Sequence, residues 1–179
     1  MISIRAANPT DASSIAHVHV ETWRTTYGGI VPNDHLANLS AQKRAEHWGR
    51  LLQAMPPKEH VFVATDESGR VVGFSNGGAN RSTEYLYDGE VMAIYLLKDH
   101  QRSGTGRRLF QASINRLFDD GFTKMLVWVL EENPTCGFYA HMGGKVIGEK
   151  TEAIGGKVLR ELVYGWDNLL ALEETRGNS

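Results

Sequence analysis

Gln101-Arg102-Ser103-Gly104-Thr105-Gly106-Arg107 stands where an apolar, strand-like run, Glu90 to Leu97, hands over to an amphipathic helix marked by Leu109, Ile114, Leu117 and Phe118. Two glycines two apart let the backbone approach an anion closely. The unpaired N–H groups of the following helix start point at that anion, and the helix dipole favours it. The junction therefore reads as a phosphate cradle. Alone, the heptapeptide also fits an ordinary strand-to-helix turn, so its surroundings must decide.

Upstream, residues 2–6 alternate as a short strand, and Asn8-Pro9-Thr10-Asp11 supplies the start of a helix running to about Tyr27, ended by Gly28-Gly29. Pro32-Asn33-Asp34 opens a short helical piece. Ser40 caps a longer helix, about 41–54, with Ala45, Trp48 and Leu52 on one face. Val61 to Ala64 and Val71 to Ser75 flank the turn Asp66-Glu67-Ser68-Gly69 as a hairpin. Downstream of the heptapeptide, the helix runs to about Asp120 and stops at Gly121, and Met125 to Leu130 is a buried strand. Asn133-Pro134 begins a short helix through His141, and two strands, about 145–152 and 157–165, close the pattern. Strand, helices, three strands, helix, strand, helix and two strands is a mixed α/β order with helices on both faces of one sheet.

The 179 residues, 41% of them hydrophobic, suffice for one sizeable core and predict a single domain over 1–166 with a partly frayed tail over 167–179. The 19 basic and 21 acidic side chains nearly cancel, so no nucleic acid and no membrane is expected as a partner. Cys136 is the only cysteine, which excludes an internal disulfide and fits a reducing compartment. The start Met-Ile-Ser-Ile-Arg lacks a targeting pattern and no run reaches 18 apolar residues, so a soluble cytoplasmic protein is expected. His17 and His19 diverge on a helix and His35, His47 and His60 lack ligand spacing, so no metal is expected.

Four stretches in order carry a resemblance. Gln101-Arg102-Ser103-Gly104-Thr105-Gly106 has the form Gln/Arg-x-x-Gly-x-Gly/Ala, and Glu90 to Leu97 resembles the strand before that signature. Asn133 to Tyr139 with Met142-Gly143-Gly144 resembles a second cofactor segment, and Val18 to Tyr27 a first-helix pattern of one bacterial branch. The chain thus resembles the GNAT-superfamily N-acetyltransferases. That resemblance implies a mostly antiparallel six- to seven-stranded sheet, splayed at its centre, with helices on both faces. It also implies acetyl-CoA as co-substrate, direct attack by a primary amine of a small molecule or peptide in a ternary complex, and a possible homodimer.

By the same resemblance, backbone N–H groups of Arg102, Ser103, Gly104, Thr105, Gly106 and Arg107 would hold the pyrophosphate. Backbone groups of Ile94, Tyr95 and Leu96 would pair with the pantetheine arm as an added strand, a bulge freeing the donors. A backbone N–H near Leu96 would polarise the acyl oxygen, and Asn133 would bind the arm, the alternative being a helix cap before Pro134, two roles that one side chain could combine. An amine of pKa about 10.4 must shed a proton before it attacks, and Glu90 is the first candidate base. A solvated glutamate after a turn is the alternative. Tyr139 would protonate the leaving thiolate, or be only an aromatic packing residue. Trp23, Arg24 and Tyr27 would line the acceptor site, the alternative being core aromatics and a surface ion pair; Glu84 and Tyr85 are further candidates.

Two rival readings remain open. A non-catalytic acyl-CoA-binding module would keep the turn and the splay without a base. Gly73-Phe74-Ser75-Asn76-Gly77 spells the elbow of a serine hydrolase, but no helical pattern follows it.

Overall fold

The computed structural model describes residues 1–174. Strand β1 (Ser3–Ala6) leads through a 3₁₀ turn at Pro9–Asp11 into helix α1 (Ala12–Thr26). The short α2 (Asn33–Ala37) and then α3 (Ala41–Gln53) follow, the latter capped by the Ser40 hydroxyl, which accepts from the Lys43 N–H. Strands β2 (His60–Thr65), β3 (Val71–Ala79) and β4 (Gly89–Leu96) come next, and then helix α4 (Thr105–Asp119). Strand β5 (Met125–Leu130), helix α5 (Cys136–His141), strands β6 (Lys145–Ile154) and β7 (Lys157–Trp166), and helix α6 (Leu169–Glu174) complete the chain described.

The seven strands form one sheet in the order β1-β2-β3-β4-β5-β7-β6. Every neighbouring pair is antiparallel except β4 and β5. That parallel pair is joined only at Gly89 with Met125 and Glu90 with Leu126, so the two strands part from there onward. The expected central splay is present.

Alternation along the strands sends side chains to two cores. On one face, Phe110, Ile114 and Leu117 of α4, all fully buried, pack on Val91, Met125, Val127 and Val129. Each such side chain contributes about 2 kcal/mol by leaving water. On the other face, Ile15 and Val18 of α1 and Trp48 of α3 cover Val61, Val63 and Phe74. A smaller cluster joins Tyr27, Val31 and Leu36 to Leu130 and Leu159 beyond the splay.

Three expectations shift. Strand β3 continues to Ala79, four residues past Ser75. Ser75 is fully buried in mid-strand, donating to the Leu109 carbonyl and accepting from the Ser113 hydroxyl, so it is no nucleophile elbow. The helix expected from Asn133 starts at Cys136, because the Asn133 side chain accepts from both the N–H and the hydroxyl of Thr135 and holds that stretch as a turn. Leu169, placed by sequence in a tail, is fully buried beside α4. The polar end, 175–179, lies outside the described residues.

Candidate functional site

The splay is sharpened by a bulge. Asn76 pairs with Ala93 and Gly77 with Val91, which leaves Met92 as the extra residue of β4. Past it, Ile94 and Leu96 face α4, whereas Ala93 and Tyr95 face α1 and α3. Beyond Glu90, strand β4 has no ladder partner on the β5 side. Its edge at residues 92–96, where the Leu96 carbonyl already accepts from the Gln101 side-chain amide, therefore offers its remaining backbone groups to an extended ligand.

Strand β4 ends next to the glycine turn. Gly104, at φ +81°, is the N-cap residue of α4, and no side chain caps this helix. A left-handed residue here favours glycine. The first intrahelical bond runs from the Arg108 N–H to the Gly104 carbonyl, so the N–H groups of Thr105, Gly106 and Arg107 have no partner within the helix. The Ser103 hydroxyl donates to the His100 carbonyl and lies 2.9 Å from the Thr105 hydroxyl, which ties the turn together from inside. Arg102, at φ +58°, and Arg107 are exposed around it. A Cβ at Gly106 would meet no protein atom within 4 Å. Packing thus gives no reason for glycine at 106, whereas an anion resting on the helix start would. The turn fits a pyrophosphate by charge and by access.

On the opposite face of the sheet, a cavity of about 320 Å³ opens against the splay. Trp23 and Tyr27 form its helical wall, their rings 4.7 Å apart, and Tyr95 and Met92 come from β4. The Trp23 indole N–H donates to the Tyr95 hydroxyl at 3.1 Å, and the Asn133 amide donates to the Tyr27 hydroxyl at 3.0 Å. Burial holds the Tyr27, Tyr95 and Tyr139 phenols well above their ordinary pKa, so all three keep their protons at neutral pH. Tyr139 lies among Phe110, Phe138, Tyr164 and Trp166 on the α4 side. It is close enough to Tyr27 and Tyr95 to raise the Tyr27 pKa together with Tyr95, and Tyr95 raises that of Tyr139. Tyr27 and Tyr95 line the cavity beside the gap between β4 and β5, and Tyr139 lies in the core on the α4 side.

Three expected residues have other work. The Glu90 side chain is only 2% exposed and does not line the cavity; Arg81 saturates it through Nε, Nη2 and its backbone N–H. It is neither a solvated glutamate nor a base with a free oxygen. Arg24 donates to the carbonyls of Leu36 and Leu39 and pairs with Glu21, stapling α1 to the segment after it, and it too is absent from the cavity wall. Asn133, expected to reach a ligand arm, spends its amide on Tyr27 and its carbonyl on Thr135.

The cavity also contains residues that sequence reading missed. Arg81 enters from the loop before β4, Trp128 from β5, Lys150 and Glu152 from β6, and Glu161 from β7. Lys150 sits 4.4 Å above the Trp128 ring and 3.2 Å from Glu161. Their signal was the period of two: Lys150, Glu152 and Glu161 share a face once the register pairs Lys150 with Glu161 and Glu161 with Leu130. Tyr85, a sequence candidate, stacks edge-on at 5.7 Å against Trp128, and its hydroxyl occupies the space a side chain at Gly148 would take.

Among the described residues, no group of three or more His, Cys, Asp or Glu could hold a metal ion, and no helix is long and apolar enough to cross a membrane.

Residues 20–143 match the model of the acetyltransferase (GNAT) family. The chain is 41% identical to YuaI of Bacillus subtilis, an uncharacterised N-acetyltransferase, over 97% of both chains. It is 25% identical to the L-amino acid N-acyltransferase MnaT of Escherichia coli, covering 90% of this chain and 89% of that one. Among solved structures, the PaiA N-acetyltransferase of Thermoplasma acidophilum in complex with coenzyme A superposes with a TM-score of 0.67 at 17% identity, over 93% of this chain and 99% of that one. The structure of YncA from Salmonella typhimurium with its cofactor acetyl-CoA gives 0.69 at 20% identity, over 93% and 94%.

Proposed function

The chain belongs to the acetyltransferase (GNAT) family and is an acyltransferase, and from that premise we propose that it moves an acetyl group from acetyl-CoA to the primary amine of a small molecule that also carries a carboxylate. The observation that carries the acceptor class is the charge pattern of the cavity: Glu152 and Glu161 suit an ammonium, and Arg81 and Lys150 suit a carboxylate. The name of the Escherichia coli relative, an L-amino acid N-acyltransferase, supports the same class. Trp23, Tyr27 and Trp128 would receive the apolar part of the acceptor.

The two ligands enter from opposite faces of the sheet. The N–H groups of Thr105, Gly106 and Arg107 hold the pyrophosphate, with Arg102 and Arg107 adding charge, and the free edge of β4 at Ile94, Tyr95 and Leu96 pairs with the pantetheine arm. A backbone N–H near Leu96 polarises the acyl oxygen. Within the ternary complex the neutral amine forms the C–N bond as the C–S bond breaks. Tyr139, kept protonated by burial, gives its proton to the departing thiolate. The nitrogen's surplus proton leaves to solvent, which reprotonates the phenolate. Asn133 acts through Tyr27, fixing that ring at the gap.

The test is a panel of amines with and without carboxylates, read by acetyl-CoA-dependent thiol release, beside calorimetric titration of CoA. Thiol release on amino acids and none on their decarboxylated amines is expected. Tight CoA binding with no thiol release on any amine would favour a binding module instead.

A further inference from the structure

We propose that Glu161 of β7 is the catalytic base that takes the proton from the acceptor's ammonium, with Lys150 as its positioning residue; this rests on the acyltransferase reading above. The transfer needs a neutral nitrogen, and the group that removes its proton must reach the cavity with an oxygen to spare. Three carboxylates stand near the splay, and their geometry separates them.

Glu90 uses both oxygens on Arg81 and lines no part of the cavity. Glu152 lines the cavity, but its side chain is 49% exposed and it pairs across the sheet with Leu159, two residues farther along β7 from the gap. Glu161 lines the cavity, its side chain is 18% exposed, and it pairs directly with Leu130, where β5 has diverged from β4. Lys150 holds Glu161 by Oε2 at 3.2 Å, and no hydrogen bond joins Oε1 to another described residue. One oxygen is thus anchored and the other is free to accept a proton.

Glu161 is also the carboxylate that the rest of the gap senses. Its charge contributes to raising the pKa of Tyr27 on α1, Tyr95 on β4 and Arg81 on the facing loop. With Lys150 and Glu152 on β6, these are the titratable groups that face it. Lys150 is fixed in turn by the Trp128 ring beneath it. An ammonium drawn to Oε1 is therefore held in the cavity that Tyr27, Tyr95 and Arg81 also line. In the step itself one proton passes from the ammonium to Oε1, leaving a neutral amine and a carboxylic acid. The nitrogen lone pair then forms the C–N bond, and Glu161 returns its proton to water after product leaves.

Glu161→Gln keeps the shape and loses the base. Its kcat/KM for the acceptor is expected to fall about 100-fold near neutral pH, with CoA affinity by calorimetry unchanged. The deficit shrinks as pH rises towards the acceptor's own pKa, because free amine then arrives already neutral. Glu161→Asp restores part of the rate and retains the acidic limb of the profile. It also serves as the test if the glutamine variant does not fold. A glutamine variant with an intact acidic limb, or one whose deficit is the same at every pH, overturns the inference, as does an aspartate variant without that limb. If instead the unaltered protein releases no thiol on any amine, the functional reading itself fails, and the two failures are distinct.

Discussion

The buried carboxylate of Glu90 is satisfied by one residue, Arg81, whose Nη2 lies 2.6 Å from Oε1 while Nε and the backbone N–H lie 3.1 and 3.0 Å from Oε2. The pair joins the start of β4 to the loop at the cavity mouth, and it aims a guanidinium, 65% exposed, at the space where an acceptor would bind. Glu90 is therefore expected to affect an acceptor only by holding Arg81. Arg81→Ala strands a carboxylate in the core and is expected to cost about 2 kcal/mol in urea unfolding, less than a fully buried pair because most of the Arg81 side chain is in water. Lysine at 81 recovers little, since it lacks the fork that engages both oxygens. Glu90→Gln raises the acceptor KM while the acidic limb of the rate profile stays in place.

Gly106 separates stability from binding. A methyl group there meets open space, and alanine suits a helix better than glycine by up to about 1 kcal/mol. Gly106→Ala is expected to hold or raise the melting temperature while weakening CoA about tenfold, or about 1.4 kcal/mol, by calorimetry. Equal CoA affinity in the two proteins would remove the helix start from the pyrophosphate site.

Tyr139→Phe should reduce kcat about 100-fold and leave CoA affinity unchanged. The ring fills the core beside Phe110 and Trp166, and no hydrogen bond joins its hydroxyl to another described residue, so the variant folds with little loss. A kcat within about threefold of the parent assigns thiolate protonation to water.

The donor half of the site was legible in sequence because it is local. A glycine turn between a strand and a helix occupies seven consecutive residues, and its chemistry follows from backbone geometry alone. The mostly antiparallel sheet and its central splay came with the resemblance, and the strand pairing and the short β4–β5 register bear them out. The candidate acceptor half is assembled from Trp23, Arg81, Trp128, Lys150 and Glu161, which are far apart in the chain and meet only in the fold, the last three through strand register. A one-residue slip of β6 against β7 would turn Lys150 away from Glu161. The resemblance named Glu90 as a base and Arg24 as part of the acceptor wall, and their contacts show other engagements. Each had a partner, Arg81 for one and two backbone carbonyls for the other, that no local pattern announces.

Buried His60 gives the fold a pH dependence that can be separated from that of its carboxylates. Neither ring nitrogen has a hydrogen-bond partner, and burial lowers its pKa from 6.5 to about 4, with Arg116 lowering and Asp120 raising it in smaller measure. His19, which accepts from the Trp48 indole through Nδ1, is lowered to about 3 by burial and by the charges of Arg44 and His47. Both groups bind protons more readily in the unfolded chain. Stability is therefore full above pH 6.5 and falls as the pH drops towards 4, since unfolding takes up protons across that window. Each tenfold loss of proton affinity on folding corresponds to about 1.4 kcal/mol, so His60 alone accounts for about 3 kcal/mol by pH 4. The Asp66 carboxyl, held at about 2 chiefly by the Ser68 hydroxyl, loses its contribution only at lower pH. Urea unfolding from pH 4 to 8 should show a slope that is reduced by about half in His60→Leu, where the neutral side chain needs no hydrogen bond; an unchanged slope would mean that His60 is protonated in the folded protein.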